Sequence, residues 1–322
     1  MKSFLRNSKK SNIADDLGLG TKVTTDRNMN KDGTFNINRV GEPKFRFYEI
    51  YHMLITMPWL KFFAIIVGSY FTSNIIFASI YYSIGVEHLT GINPNADNLH
   101  KFLEAYFFSS QTLTTVGFGR LAPLGTLTSA VAAVESMLGV LVFAIATGLL
   151  YGRFSRPQAK LLYSEHAIIA PYRTGTGLMF RMANKRHNQL IEVEVSCTLS
   201  HFEKGAISRS FNRLKLERDK VNLFPTNWTI VHPIDEESPF YMMTEEEFRD
   251  TKSELIILLK AFDDTFSQTI YSRTSYHTDE IIYGRKFLPM VSVDENNKSV
   301  VDLRLINAME VRELPLFVVK DE

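Results

Sequence analysis

The sequence predicts an α+β membrane protein: two membrane-crossing helices joined through a short helix and a glycine-alternating loop, then a C-terminal β-sandwich. Three observations predict it. Two long apolar stretches lie in the first half of the 322 residues. Between them stands Thr115-Val116-Gly117-Phe118-Gly119, just after a short amphipathic run. Beyond Pro157 the apolar period changes from helical to the two-residue alternation of strands.

Residues 1–40 are rich in Ser, Asn, Lys, Asp and Gly and read as a disordered N-terminal tail. They lack the apolar core of a signal peptide. Asp26, Asn28, Asn30 and Asp32-Gly33 approach a calcium loop, but Lys31 stands where that loop needs Gly and Ile37 where it needs Glu. Residues 41–58 follow. There Phe45–Met57 mixes aromatic and aliphatic residues with Arg46, Glu49 and His52, which suits an amphipathic helix in the membrane interface, closed by Pro58. An extension of the first span is the alternative.

The region 59–156 reads as a pore domain. Its outer helix, 59–83, would be roughly 36 Å long, enough to span, with Lys61 snorkelling outward and Trp59, Tyr81 and Tyr82 at the interfaces. Residues 84–98 are turn-forming. A short helix over 99–114 is capped by Asp97 or Asn98 and packs through Phe102, Leu103, Tyr106 and Phe107. The inner helix, 124–153, would be roughly 42 Å long. Lys31, Arg39, Lys44 and Arg46 precede the spans, and Arg153, Arg156 and Lys160 follow them, while Lys101 and Arg120 are the only such charges between. Both termini are therefore expected in the cytoplasm of a multi-pass cell-membrane protein.

From 157 to 322 the pattern is β. Ile191, Val193, Val195, Cys197 and Leu199 alternate with Glu192, Glu194, Ser196 and Thr198. Further strands are expected over 177–183, 211–216, 228–232, 254–262, 269–275, 286–293 and 300–305, an antiparallel sandwich. Thr244 and Glu247 form a capping box that opens a short helix. Cys197 is the single cysteine, so no intramolecular disulfide exists, and a net charge of +1 argues against a nucleic-acid partner. His166, His187, His201, His232 and His277 are scattered without metal or nucleophile spacing, which argues against an enzyme.

The chemistry concentrates in the central loop. An ion-selectivity filter strips water from its ion with backbone carbonyls turned to one axis. That backbone disfavours residues with a Cβ, so Gly117 and Gly119 alternate with Val116 and Phe118, which should pack on the short helix. Thr115 adds a hydroxyl ring at the inner mouth, and the helix aims its negative end, near Thr114, at the cavity. Potassium would be held by the carbonyls of Thr115, Val116, Gly117 and Phe118 together with the Thr115 hydroxyl. It is the permeant ion, and no other cofactor is expected. One chain supplies one wall of four, which implies a homotetramer.

On the inner helix, Ala144, Gly148 and Gly152 form a small-residue ladder. Phe143, Thr147 and Tyr151 lie on a neighbouring face as pore-lining candidates, with Tyr151 either a gate or ordinary helix packing. Gly139 is either a hinge or a point of close packing. Glu135, ionisable at membrane depth, is either a brace behind the filter or a cavity cation site.

Together these residues resemble a prokaryotic inward-rectifier potassium channel of the KirBac type. The resemblance rests on Met57-Pro58-Trp59, on 114–119, on 147–160, and on 166–172, 182–188 and 232–239. It implies an interfacial slide helix, an immunoglobulin-like cytoplasmic β-sandwich, and a bacterial inner membrane. Tyr151 matches the aromatic that closes the inner-helix bundle. Phe143 falls where strong rectifiers carry an acid, which puts strong rectification in doubt. Gln111 falls where many members have a Glu behind the filter, so a pairing of that residue with Arg120 is not available in its usual form. Residues 265–270 fall on the loop at the apex of the cytoplasmic pore. Anionic phospholipid head groups are the implied partner of Arg153, Arg156 and Lys160. The rival readings are a weakly selective cation channel and a potassium transporter subunit, the latter usually carrying several hairpins with degraded filters.

Overall fold

The computed structural model describes residues 27–38, 40–41, 49–155, 159–186, 188–202, 209–224 and 226–315. The chain divides into two compact units, Gly41–Arg156 and a second made of Met1–Val40 with Pro157–Glu322.

Among the described residues, four α-helices build the first unit: α1 (Ile50–Thr56), α2 (Trp59–Ile84), α3 (Asn98–Leu113) and α4 (Thr126–Phe154). Helices α2 and α4 are long and apolar enough to cross a membrane. Pro58 separates α1 from α2, because the residue before proline is driven to extended backbone, and Met57 has ψ 159°. Of the interfacial segment expected over 41–58, residues 42–48 lie outside the described residues. Asp97, not Asn98, caps α3 by accepting the backbone N–H of His100 at 3.2 Å. The packed side of α3 is Ala105, Phe108 and Ser109, flanked by Phe102 and Tyr106, while Leu103 and Phe107 face outward. The expectation for those two was wrong because small residues four apart, not the bulkiest ones, let neighbouring helices approach. Strands β1 (Leu89–Thr90) and β2 (Ala122–Pro123) pair antiparallel and tie together the segments flanking α3.

The second unit is a sandwich of two five-stranded sheets among the described residues. One contains β6 (Leu190–Phe202), β7 (Arg209–Leu214), β8 (Lys220–Leu223), β10 (Glu254–Asp263) and β11 (Gln268–His277), in the order β11-β10-β6-β7 with β8 also on β6. The other contains β3 (Leu161–Tyr163), β4 (Ala167–Tyr172), β5 (Gly175–Asn184), β9 (Asn227–Ile234) and β12 (Ile281–Tyr283), in the order β12-β4-β5-β3 with β9 also on β5. Their inner faces share one core: Val193, Val195, Cys197 and Leu199 of β6 with Leu178, Phe180 and Met182 of β5 and Leu255, Ile257 and Leu259 of β10. The alternation of β6 thus points its apolar set inward, as the sequence requires. Helix α5 (Glu245–Asp250) opens on the Thr244–Glu247 capping box.

Short strands went unforeseen: β3, β4, β8, β12 and β16 (Met309–Val311), the last paired with β13 (Arg285–Phe287). The strand expected over 286–293 is interrupted at Pro289, leaving β13 and then β14 (Val291–Val293), and that over 300–305 is β15 (Ser299–Val301) followed by a 3-10 turn at Leu303–Asn307.

The N-terminal segment departs in part from the expected disordered tail. Residues 27–36 are docked on the sandwich, whereas residues 1–26 lie outside the described residues. The backbone N–H groups of Asn28 and Met29 donate to the fully buried Glu254 carboxylate at 2.7 and 2.8 Å, and the Asn28 side-chain amide adds a third bond at 2.9 Å. Ser275 Oγ donates to the Met29 carbonyl at 2.5 Å and Thr274 Oγ1 to that of Lys31 at 2.9 Å. Gly33 adopts φ +82° with the Arg273 carbonyl where a Cβ would stand, at 2.6 Å. A polar composition argues against a buried core, but this segment docks by satisfying polar groups buried on the sandwich.

Candidate functional site

The loop after α3 is built by its backbone. Thr115, Gly117 and Gly119 have φ of +59°, +53° and +83°, while Val116 and Phe118 between them do not enter the left-handed region. Alternation of this kind turns successive N–H groups to one side and the carbonyls to the other. The N–H groups of Val116 and Gly117 donate to the Gln111 carbonyl at 3.0 and 3.3 Å, and that of Phe118 donates to Gln111 Oε1 at 3.2 Å. The carbonyls of Thr115, Val116, Gly117 and Phe118 accept no hydrogen bond among the described residues. Nothing stands within 4 Å of a Cβ built on Gly117 or Gly119, so backbone angle, not space, selects glycine there. Thr115 takes the same conformation without being glycine, which residue type could not reveal. Thr114 caps α3 through its hydroxyl, donating to the Ser110 carbonyl at 2.7 Å. Val116 and Phe118 were expected to pack on α3; within one chain they stay 55% and 81% exposed.

A buried polar cluster stands behind the loop. Glu135 of α4 accepts from Tyr81 of α2 at 2.6 Å and from Ser109 of α3 at 2.5 Å, one bond to each carboxylate oxygen. Ser109 also lies 3.1 Å from Asn74 Oδ1, whose side-chain amide donates to the Tyr70 carbonyl at 2.8 Å. Glu135 is thus fully enclosed and joins three helices, the arrangement of a brace. Gly139 is a point of close packing: a Cβ there would sit 1.9 Å from the Leu113 carbonyl, and α4 runs unbroken past it. Tyr81, Ser109 and Asn74 were not foreseen as partners, since their signal is polarity inside an apolar segment, which many surface-facing hydroxyls share. Arg120, following the loop, pairs with Glu104 of α3.

A family model for the inward rectifier potassium channel transmembrane domain matches residues 29–157, and one for the inward rectifier potassium channel C-terminal domain matches residues 161–322. The chain belongs to the inward rectifier potassium channel family. It is 34% identical over 290 residues to inward rectifier potassium channel Kirbac3.1 of Paramagnetospirillum magnetotacticum, covering 89% of this chain and 96% of that one. It is 26% identical to G protein-activated inward rectifier potassium channel 1 of Bos taurus and 25% to channel 2 of Mus musculus, covering 60% and 70% of those longer chains and 86% and 85% of this one. As in the family's transmembrane domain, α2 and α4 are its membrane helices.

Further along α4, Phe143, Thr147 and Tyr151 form one exposed file, with Phe143 74% and Tyr151 75% accessible. The Thr147 hydroxyl turns back to the Phe143 carbonyl at 2.9 Å. In the small-residue ladder, Gly152 receives Tyr51 of α1, whose hydroxyl would lie 3.1 Å from a Cβ, whereas Gly148 faces open space.

Arg153 does not stand where head groups would reach it. Its guanidinium is buried, donates to the carbonyls of Leu54 and Met57 at 2.5 and 2.7 Å, and stacks on Trp59 and Phe62 at 4.4 and 4.5 Å from the ring centres. The free carbonyls at the end of α1 draw it inward. Arg156 lies outside the described residues. Lys160 is exposed in the second unit and lines a basic recess with Lys185 and Arg186, two residues missed because they are distant in sequence.

Proposed function

We propose that the chain conducts potassium passively through a homotetramer in which Thr115–Gly119 is the selectivity filter. The observation that carries this reading is the run of carbonyls from Thr115 to Phe118 left free of hydrogen bonds among the described residues, while the N–H groups of Val116, Gly117 and Phe118 are anchored on Gln111. Such oxygens replace an ion's water only when several loops converge, and four copies of this chain supply them. The exposed Val116 and Phe118 side chains are surfaces such neighbours would cover, and the exposed file on α4 is one the pore would border. The relatives, all named as potassium channels, support the same ion.

In this reading Glu135, Gln111 and Thr114 support the filter, Phe143 and Thr147 line the pore, and Tyr151 narrows it at the inner-helix bundle. Both termini and the sandwich are cytoplasmic, as the flanking charges direct. Anionic head groups bind at Lys160, with Lys185 and Arg186 beside it. The test is rubidium uptake into liposomes containing the purified chain, with potassium and sodium as competitors. Potassium should compete strongly and sodium hardly at all. Equal competition would convert the reading into a weakly selective cation channel.

A further inference from the structure

The loop that faces the ion is held unequally at its two ends. From Val116 to Phe118 three successive N–H groups are fixed on Gln111, at the last turn of α3. Beyond them, Gly119 makes no hydrogen bond to α3 among the described residues, and the Phe118 side chain is 81% exposed. What reaches back from there is the side chain of Arg120, whose Nη1 and Nη2 each donate to one oxygen of Glu104, the first at 3.3 Å. Glu104 precedes Gln111 by seven residues, two turns of the same helix and about 10.5 Å along it.

The Arg120 backbone is fixed from the other side. Leu121 is buried, Ala122 and Pro123 pair with Leu89 and Thr90, and Gly91 adopts φ +87° with the Arg120 carbonyl 2.2 Å from where its Cβ would be. Helix α3 therefore touches both ends of the loop, by backbone at Gln111 and by a two-point ion pair at Glu104.

We propose that Glu104 and Arg120 act as an outer clasp, positioning residues that hold the filter's exit at the width potassium requires. The proposal rests on the reading of Thr115–Gly119 as a filter. Because Gln111 spends its side-chain oxygen on the Phe118 N–H, Arg120 takes its acid from two turns further back along α3. The pair is part-exposed, with side chains 57% and 28% accessible, so its contribution to overall stability is small. Its effect is on geometry, and on charge: an unpaired Arg120 in four copies would ring the entrance with positive charge.

The test is competed rubidium uptake by the full-length chain in liposomes, with Glu104→Gln, Arg120→Gln, the double variant and the charge swap Glu104→Arg with Arg120→Glu. Size-exclusion profiles report assembly of each. Each single variant should lower the potassium-over-sodium competition ratio about three- to five-fold, the double variant no further, and the swap should recover at least half of the loss. Unchanged competition ratios, with uptake rising in Arg120→Gln and falling in Glu104→Gln, would show a charge effect alone and overturn the clasp. Additive losses in the double variant would also overturn it. If one variant fails to assemble, the other single variant still decides. An unselective unmodified chain would instead remove the filter reading itself.

Discussion

In the sandwich, Val193, Val195, Cys197 and Leu199 share one core with Leu178, Phe180 and Met182, and a single chain completes it. On α4, by contrast, Phe143, Ile145 and Tyr151 stay uncovered by their own chain, as do Val116 and Phe118 in the loop. The same apolar residue types therefore mean two things. In the sandwich they close a fold, and in the membrane unit they await lipid or further copies of the chain. The two units also use polar groups differently. Glu254 buries its carboxylate to hold a segment of the tail, whereas Glu135 joins three helices behind a loop whose carbonyls are left bare.

If the loop depends on backbone angle, Gly117→Ala should strike it hardest. A left-handed conformation costs a residue with a Cβ about 1–2 kcal/mol, incurred in every copy around the pore. Selective rubidium uptake should drop more than tenfold while the thermal melt of the sandwich stays in place; a fall in both would erase the distinction between the units. Gly139→Ala comes next, since its Cβ meets the Leu113 backbone, and overpacking of this kind costs about 1–3 kcal/mol. Gly148→Ala, with open space around it in the chain, should leave the monomer fold intact, and equal losses at both positions would refute the packing argument.

Tyr151→Ala should raise resting uptake several-fold if its exposed ring narrows the pore, and unchanged uptake would return it to ordinary packing. The smallest effect on flux belongs to Glu254→Ala. It removes three hydrogen bonds to Asn28 and Met29, so amide exchange there should quicken about tenfold or more while rubidium uptake holds. Slow exchange in that variant would mean that the tail docks by other contacts.

Much of this was legible in the sequence because the signals were periodic. The two spans announce themselves by length, β6 by alternation, α5 by its capping box and the loop by Gly117 and Gly119. What escaped was set by tertiary partners. Residues 27–36 carry no apolar pattern, and only Glu254 and Ser275, more than two hundred residues away, give them a place. Arg153 has the sequence position of a surface charge, yet the open carbonyls of α1 and the Trp59 ring draw it inside. Thr115 adopts a glycine-like angle because its neighbours are fixed on Gln111, a constraint no single residue type encodes.

The central claim is that bare carbonyls from Thr115 to Phe118, gathered from several copies, select potassium. Competed rubidium uptake by the purified full-length chain in liposomes tests it most directly. The account predicts uptake abolished by external potassium and untouched by the same concentration of sodium. Uptake suppressed equally by both ions would contradict it.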